Sequence, residues 1–151
     1  MMNTQSPMQG KVAGIALRTF KNGPMKEVDE VIAEPGAGLV GDLPVKPDRG
    51  ITFISKEQWQ ETVNEMGSDL PWHSRRANVL IEGLPMGPLI DQTIQVGEVV
   101  VEIKGETYPC GLMDQIEQGL RKSLTPFCRA GVHGRVIQGG RIAVGDSFTV
   151  R

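Results

Sequence analysis

The sequence predicts a mainly β fold, a closed or nearly closed barrel of about seven or more short strands with two peripheral helices. Three observations predict it. Short apolar segments, several of them alternating, recur along the chain at fairly regular spacing. Nineteen Gly and ten Pro, against four Phe, two Trp and one Tyr, supply frequent turns between them. Only two stretches carry helical signals. With 151 residues, 39% of them apolar and 23% charged, the chain has the length for one core. A single domain is expected over residues 10–151, behind a flexible N-terminal segment, residues 1–9.

Lys11 to Arg18 and Glu27 to Glu34 alternate apolar and polar residues around Asn22-Gly23-Pro24, which predicts a hairpin. Glu34 to Asp42 is too glycine-rich for regular structure and reads as a shaped loop. A short strand follows over Gly50 to Ile54. Ser55 then opens the clearest helix: Gln58 three residues on completes a capping box, Glu57 suits the positive end, and Gly67 closes it. Trp59, Val63 and Met66 mark its buried face. Ala77 to Glu82 predicts a strand, and Thr93 to Lys104 predicts strand structure broken at Gly97. Beyond Cys110, Leu112, Ile116 and Leu120 lie four apart on one face of a second helix, which Gly119 weakens. The last segment reads as two strands joined by Gly139-Gly140, then a final strand from Ser147 to Val150.

Sixteen basic and eighteen acidic residues give a formal charge of -2, which excludes a general nucleic-acid binder that neutralises many phosphates. Neither a signal peptide nor a membrane span is expected, and the chain is expected to be cytoplasmic. Two cysteines are too few for a disulfide framework, so reactivity decides their use. Cys110 follows Pro109 between a predicted strand and a predicted helix. Near the first helical turn, unpaired N–H groups favour a thiolate, the form that acts as nucleophile or soft-metal ligand. The alternative is a buried structural cysteine. For Cys128, beside Phe127 and with no helix start behind it, the structural reading is favoured.

Arg75, Arg76 and Asn78 stand at the mouth of a strand, where forked donors suit a phosphate or carboxylate. Arg129, Gly131, His133 and Arg135 form a second basic, glycine-bearing cluster able to approach an anion with backbone N–H groups. Both clusters could equally be turns with solvated charge; two of them in one small chain point to a shared anion site. The glycine loop at Gly36 lacks the Lys-Ser/Thr ending of a P-loop. Cys110, Cys128, His73 and His133 lack paired zinc-ligand spacing, and no G-x-S-x-G elbow is present.

Taken in order, GLVGD (Gly38 to Asp42), RRANVLIEGL (Arg75 to Leu84), VGEVVVEI (Val96 to Ile103), TYPC (Thr107 to Cys110) and RAGVHGRVIQGGRIAVGD (Arg129 to Asp146) resemble the MOSC domain, named for the C-terminal domain of molybdenum cofactor sulfurases. The resemblance covers about Gly10 to Arg151 and implies a barrel-like fold in a small stand-alone member. It implies that Cys110 matches a cysteine that ligates molybdenum in a pterin cofactor or carries sulfane sulfur as a persulfide. Arg75, Arg76, Arg129 and Arg135 would then neutralise the cofactor's phosphate, with Asn78, Gly131 and His133 completing the binding site. With no aminotransferase-like domain in the chain, pyridoxal phosphate is not expected. Two activities stay open: molybdenum-dependent reduction of N-hydroxylated compounds, and non-enzymatic sulfur delivery. The corresponding partners are an electron-donor protein and a cysteine desulfurase. Oligomeric state is left open.

Overall fold

The structure, a computed structural model, describes residues 8–151. The expected N-terminal segment lies outside the described residues up to residue 7. Met8 is already tied down, its carbonyl accepting from Val150 N at 3.1 Å. Strand β1 (Gln9–Arg18) is followed by β2 (Met25–Val28), β3 (Glu30–Ala33), β4 (Ile51–Ser55), helix α1 (Lys56–Met66), β5 (Val79–Glu82), β6 (Thr93–Val96) and β7 (Val99–Glu106). Helices α2 (Gly111–Ile116) and α3 (Leu120–Leu124) precede β8 (Val132–Gln138), β9 (Gly140–Ala143) and β10 (Ser147–Val150).

Seven strands close in the order β10-β6-β7-β8-β4-β5-β1, with β1 pairing back onto β10; β2 is an extra strand on β1. Every pairing is antiparallel except β4 with β5, which α1 joins as a crossover. Alternation along the strands divides the apolar residues between two cores. Ile51, Phe53, Val79 and Ile81 point into the barrel, where Phe53 meets Phe148 edge to face at 5.5 Å. Ile54 and Leu80 point outward instead and are covered by Trp59 and Val63 of α1 together with Met113, Leu120 and Leu124. Because β4 and β5 are apolar on both faces, α1 is anchored against the barrel wall.

Ser55 caps α1 as expected, its hydroxyl accepting from Gln58 N at 3.1 Å, and Gly67 ends the helix at φ 64°. The capping box stays half formed. Gln58 sends its side chain to Phe127 O at 2.6 Å and accepts from Met86 N at 3.1 Å, pinning two loops to the helix.

Three expectations are corrected. The predicted second hairpin strand, Glu27 to Glu34, breaks at Asp29: β2 pairs with β1 only from Ile15 to Arg18, and β10 takes β1 at Gln9 to Lys11. The chain therefore leaves β1 and forms β3, which pairs with β9. Gly139-Gly140 is not a hairpin turn: β8 pairs with β7 and, over Val132 to Gly134, with β4, while the strand after the glycines, β9, pairs with β3. The second predicted helix is two short ones. Gly119 lies at φ 94°, and Asp114 Oδ1 accepts from Gly119 N and Arg121 N, both at 3.1 Å. Met113 before the break and Leu120 and Leu124 after it are buried, while Ile116 is exposed. Among the described residues no helix is long and apolar enough to cross a membrane.

Candidate functional site

The longest strands, β1, β7 and β8, bring the chemistry-bearing loops together at one end of the barrel. After β7 the chain runs through Thr107-Tyr108-Pro109 to Cys110, held by Thr107 N donating to Gly131 O at 2.8 Å. Cys110 occupies the position before α2 in extended backbone, and its carbonyl accepts from Met113 N at 3.0 Å. Its sulfur makes no cap to the helix, and the residue is exposed. The side chain therefore faces a cavity of about 330 Å³.

Among the described residues, four arginines line that cavity and no carboxylate does. Arg75 ends a 3-10 turn over Trp72–Arg75 and is 8% exposed; its Nε donates to Ala130 O at 2.9 Å and Nη2 to Thr107 O at 3.4 Å. No acidic side chain pairs with it among the described residues. Burial pushes Arg75 down to about 10, with Arg18 and Arg49 adding to the shift and a Cys110 thiolate opposing it. It remains a cation at neutral pH, held in a place where an anion would relieve the cost of its burial.

Arg76 follows at φ 66°, in the left-handed region of the backbone. Its guanidinium donates to Gly23 O and, at 3.4 Å, to Phe20 O, both in the turn between β1 and β2. Burial lowers its pKa, Arg18 acting the same way and Asp42 against it. Arg18, the last residue of β1, is gripped by Asp42: Nη2 lies 2.7 Å from Oδ2 and Nε 3.2 Å from Oδ1. Arg49 closes the 3-10 turn Pro47–Arg49, and its guanidinium has no partner among the described residues. No cluster of three His, Cys, Asp or Glu occurs among the described residues, so a metal here would have the Cys110 sulfur as its ligand from the chain.

The sequence-predicted residues divide. Cys110, Arg75 and Arg76 meet at the cavity. Asn78 stands behind it as a buried staple: Oδ1 accepts from Thr52 N at 3.1 Å and Thr52 Oγ1 at 3.0 Å, and Nδ2 donates to Ala16 O at 3.2 Å. It joins β4, β5 and β1 and fixes Thr52, which lines the cavity. Gly131, at φ 100°, is needed for space, since a Cβ there would run into Phe53 O. His133 adjoins the site through Thr107, Nδ1 lying 3.2 Å from Thr107 Oγ1; burial lowers its pKa, Arg49 adding to that and Asp48 opposing it. Arg135 is on the surface, paired with Asp48 at 3.1 Å.

Arg129 turns the other way, to Glu65 at 2.8 and 2.9 Å, Glu61 at 3.3 Å and Ser123 O at 3.1 Å. It fastens the segment before β8 to α1, and the structure does not bring it to the cavity. Arg18, Arg49 and Thr52 are the site residues that sequence reasoning missed. Cys128 packs beside the barrel core, its thiol pushed up to about 11 by burial, with a hydrogen bond to Glu106 and that carboxylate's charge acting in the same direction.

Solved structures share this architecture. YuaD from Bacillus subtilis superposes with a TM-score of 0.78 at 19% identity, over 96% of this chain and 97% of its own. YiiM from Geobacillus stearothermophilus gives 0.76 at 17%, over 94% and 75%, and YiiM from Escherichia coli 0.74 at 17%, over 96% and 70%. At these identities the likeness is one of fold. Among curated proteins no match reaches significance. The family model described as the MOSC domain matches residues 40–149, a span that holds Cys110, the Arg75-Arg76 pair and β4 to β9 complete. On the strength of that match, the chain belongs to the MOSC domain family.

Proposed function

We propose that the chain binds a molybdenum–pterin cofactor in the cavity at Cys110. The observation that carries this reading is the nearly buried Arg75 guanidinium, which has no carboxylate partner among the described residues and lines the same cavity as an exposed cysteine. An anionic ligand with a soft metal suits both, since guanidinium groups bind phosphate through paired donors and thiolate is a soft donor. Arg75, Arg76 and Arg49 would hold the phosphate, Arg18 would add charge while Asp42 keeps it in place, and Cys110 would offer its sulfur to the metal. Arg129 and Arg135, expected at the phosphate from the sequence, are committed to Glu65, Glu61 and Asp48 instead.

When bound, the cofactor supplies a redox metal able to pass the two electrons that reduction of an N-hydroxylated compound requires, with an electron-donor protein as their source. The residues of the chain bind, orient and screen. Thr107 and His133 keep a hydrogen-bonded pair at the cavity edge, and Asn78 keeps Thr52 in the wall.

Expression in a host that makes the cofactor tests the reading. Purified wild-type protein should carry molybdenum and pterin, and Cys110→Ala should lose the metal. No retention by wild type, or equal retention by the variant, overturns it.

The exposure of Cys110 favours one second reading, a sulfur carrier. Its thiolate would attack the outer sulfur of a desulfurase persulfide; the new S–S bond forms as the old one breaks and the desulfurase cysteine leaves as a thiolate. Incubation with a cysteine desulfurase and cysteine should then add one sulfur to Cys110 by intact mass, and an adduct on Cys128, or none, rejects it.

A further inference from the structure

A second cavity, of about 320 Å³, adjoins the one at Cys110 and shares Arg76 and Leu112 with it. Its walls are largely apolar: Pro24 and Met25 at the start of β2 face Leu112 and Ile116 of α2. No carboxylate lines it. Arg76 borders both spaces, and its bonds to Gly23 O and Phe20 O fasten the turn that makes one wall of the groove. Leu112, two residues past Cys110, connects the two spaces from the other side. The anion site as described makes no use of this groove.

We propose that the groove seats the apolar part, an aromatic ring, of the small molecule whose polar group reaches Cys110. The proposal rests on the Cys110 cavity being the place of reaction, as proposed above, and it assigns the neighbouring groove to substrate selection. Continuity argues for one ligand across both spaces, because they meet along Arg76 and Leu112, which line both. Two groups argue for a ring. The planar guanidinium of Arg76 offers a face on which a ring stacks, and the Met25 thioether adapts to a ring edge. Ile116 is 37% exposed, an apolar side chain on the groove wall that an aromatic occupant would cover.

Alkylation of Cys110 reads the groove directly. The protein without cofactor is treated with iodoacetamide or N-benzyl iodoacetamide, and the adduct is assigned to Cys110 by peptide mass. Each rate is divided by the rate of the same reagent with N-acetylcysteine. The benzyl reagent should hold an advantage of about fivefold, the gain from partly burying one ring. Ile116→Asn and Met25→Asn, both at incompletely buried positions, should bring the ratio towards one while leaving the iodoacetamide rate in place. Equal normalised rates in the unaltered protein, or an advantage that survives both substitutions, overturns the proposal. Because no metal is involved, a failure of cofactor retention rejects only the cofactor reading, and a missing aryl preference rejects only the groove.

Discussion

Asp42 holds Arg18 by both carboxylate oxygens, and one of them, Oδ1, also accepts from the Arg18 backbone N–H at 2.7 Å. The Asp42 side chain is 1% exposed, so this carboxylate stands behind the cavity and not in it. That arrangement fixes a cation at the end of β1 and trims the local positive charge.

Asp42→Asn should separate these two effects. Stability should fall by about 1–3 kcal/mol, because a partly buried Arg18 loses its partner. Affinity for inorganic phosphate should rise, because the cavity gains net positive charge. Urea denaturation and calorimetric titration measure the two, and a parallel loss of both would show that Asp42 positions Arg18 for the anion.

Arg75→Gln should behave in the opposite sense. Removing a buried cation without a carboxylate partner leaves stability within about 1 kcal/mol of wild type, since the lost bond to Ala130 O is offset by relief from burying the charge. Phosphate affinity should drop by about tenfold or more, the worth of a charged hydrogen bond. Unchanged affinity would remove Arg75 from the site.

His133 predicts a pH dependence. Its folded pKa lies below the ordinary 6.5 because burial penalises the imidazolium, so the folded state binds fewer protons than the unfolded one. Its contribution is fully present above pH 6.5 and is lost as pH falls towards the folded value. Glu65, held below its ordinary 4.5 by the hydrogen bond from Arg129, acts in the same direction at lower pH, its contribution being lost as pH falls through the folded value. Thermal melts of wild type, His133→Gln and Glu65→Gln across this range should flatten first the upper and then the lower part of the acid limb.

Gly131→Ala should cost about 2–4 kcal/mol, since a methyl group would meet Phe53 O and the backbone at φ 100° disfavours any side chain. The Thr107 loop hangs on the Gly131 carbonyl, so exposure of Cys110 to iodoacetamide should change with it. A wild-type melting temperature would contradict the packing described for this residue.

The legible parts of the molecule were those decided by neighbours in sequence. Ser55 and Gly67 bound α1 because caps act over three or four residues, and Cys110 could be placed after a strand because the β-branched run before it is so plain. The arginine group was only half legible. Arg18 comes near Arg76 through register: Ile15 pairs with Val79, so three residues further along one strand and three back along the other bring both side chains to the same mouth. Nothing local announces that pairing. Arg129 and Arg135 look alike in sequence, each close to a glycine, yet Glu61 and Glu65 on α1 claim the first and Asp48 the second. Which acids neutralise which bases is decided by the crossover between β4 and β5, and a linear reading lacks it.

The pairing of Gln9 with Thr149 closes the barrel at the start of β1, whereas Arg18 sits at that strand's other end. Nine steps of strand separate the two, roughly 30 Å. Both described ends of the chain, Met8 and Arg151, therefore leave from the pole opposite the Cys110 cavity. A tether, label or fused protein attached at Arg151 would stand well clear of whatever enters the cavity, so the chain can be immobilised there with its arginine-lined mouth open to the solution.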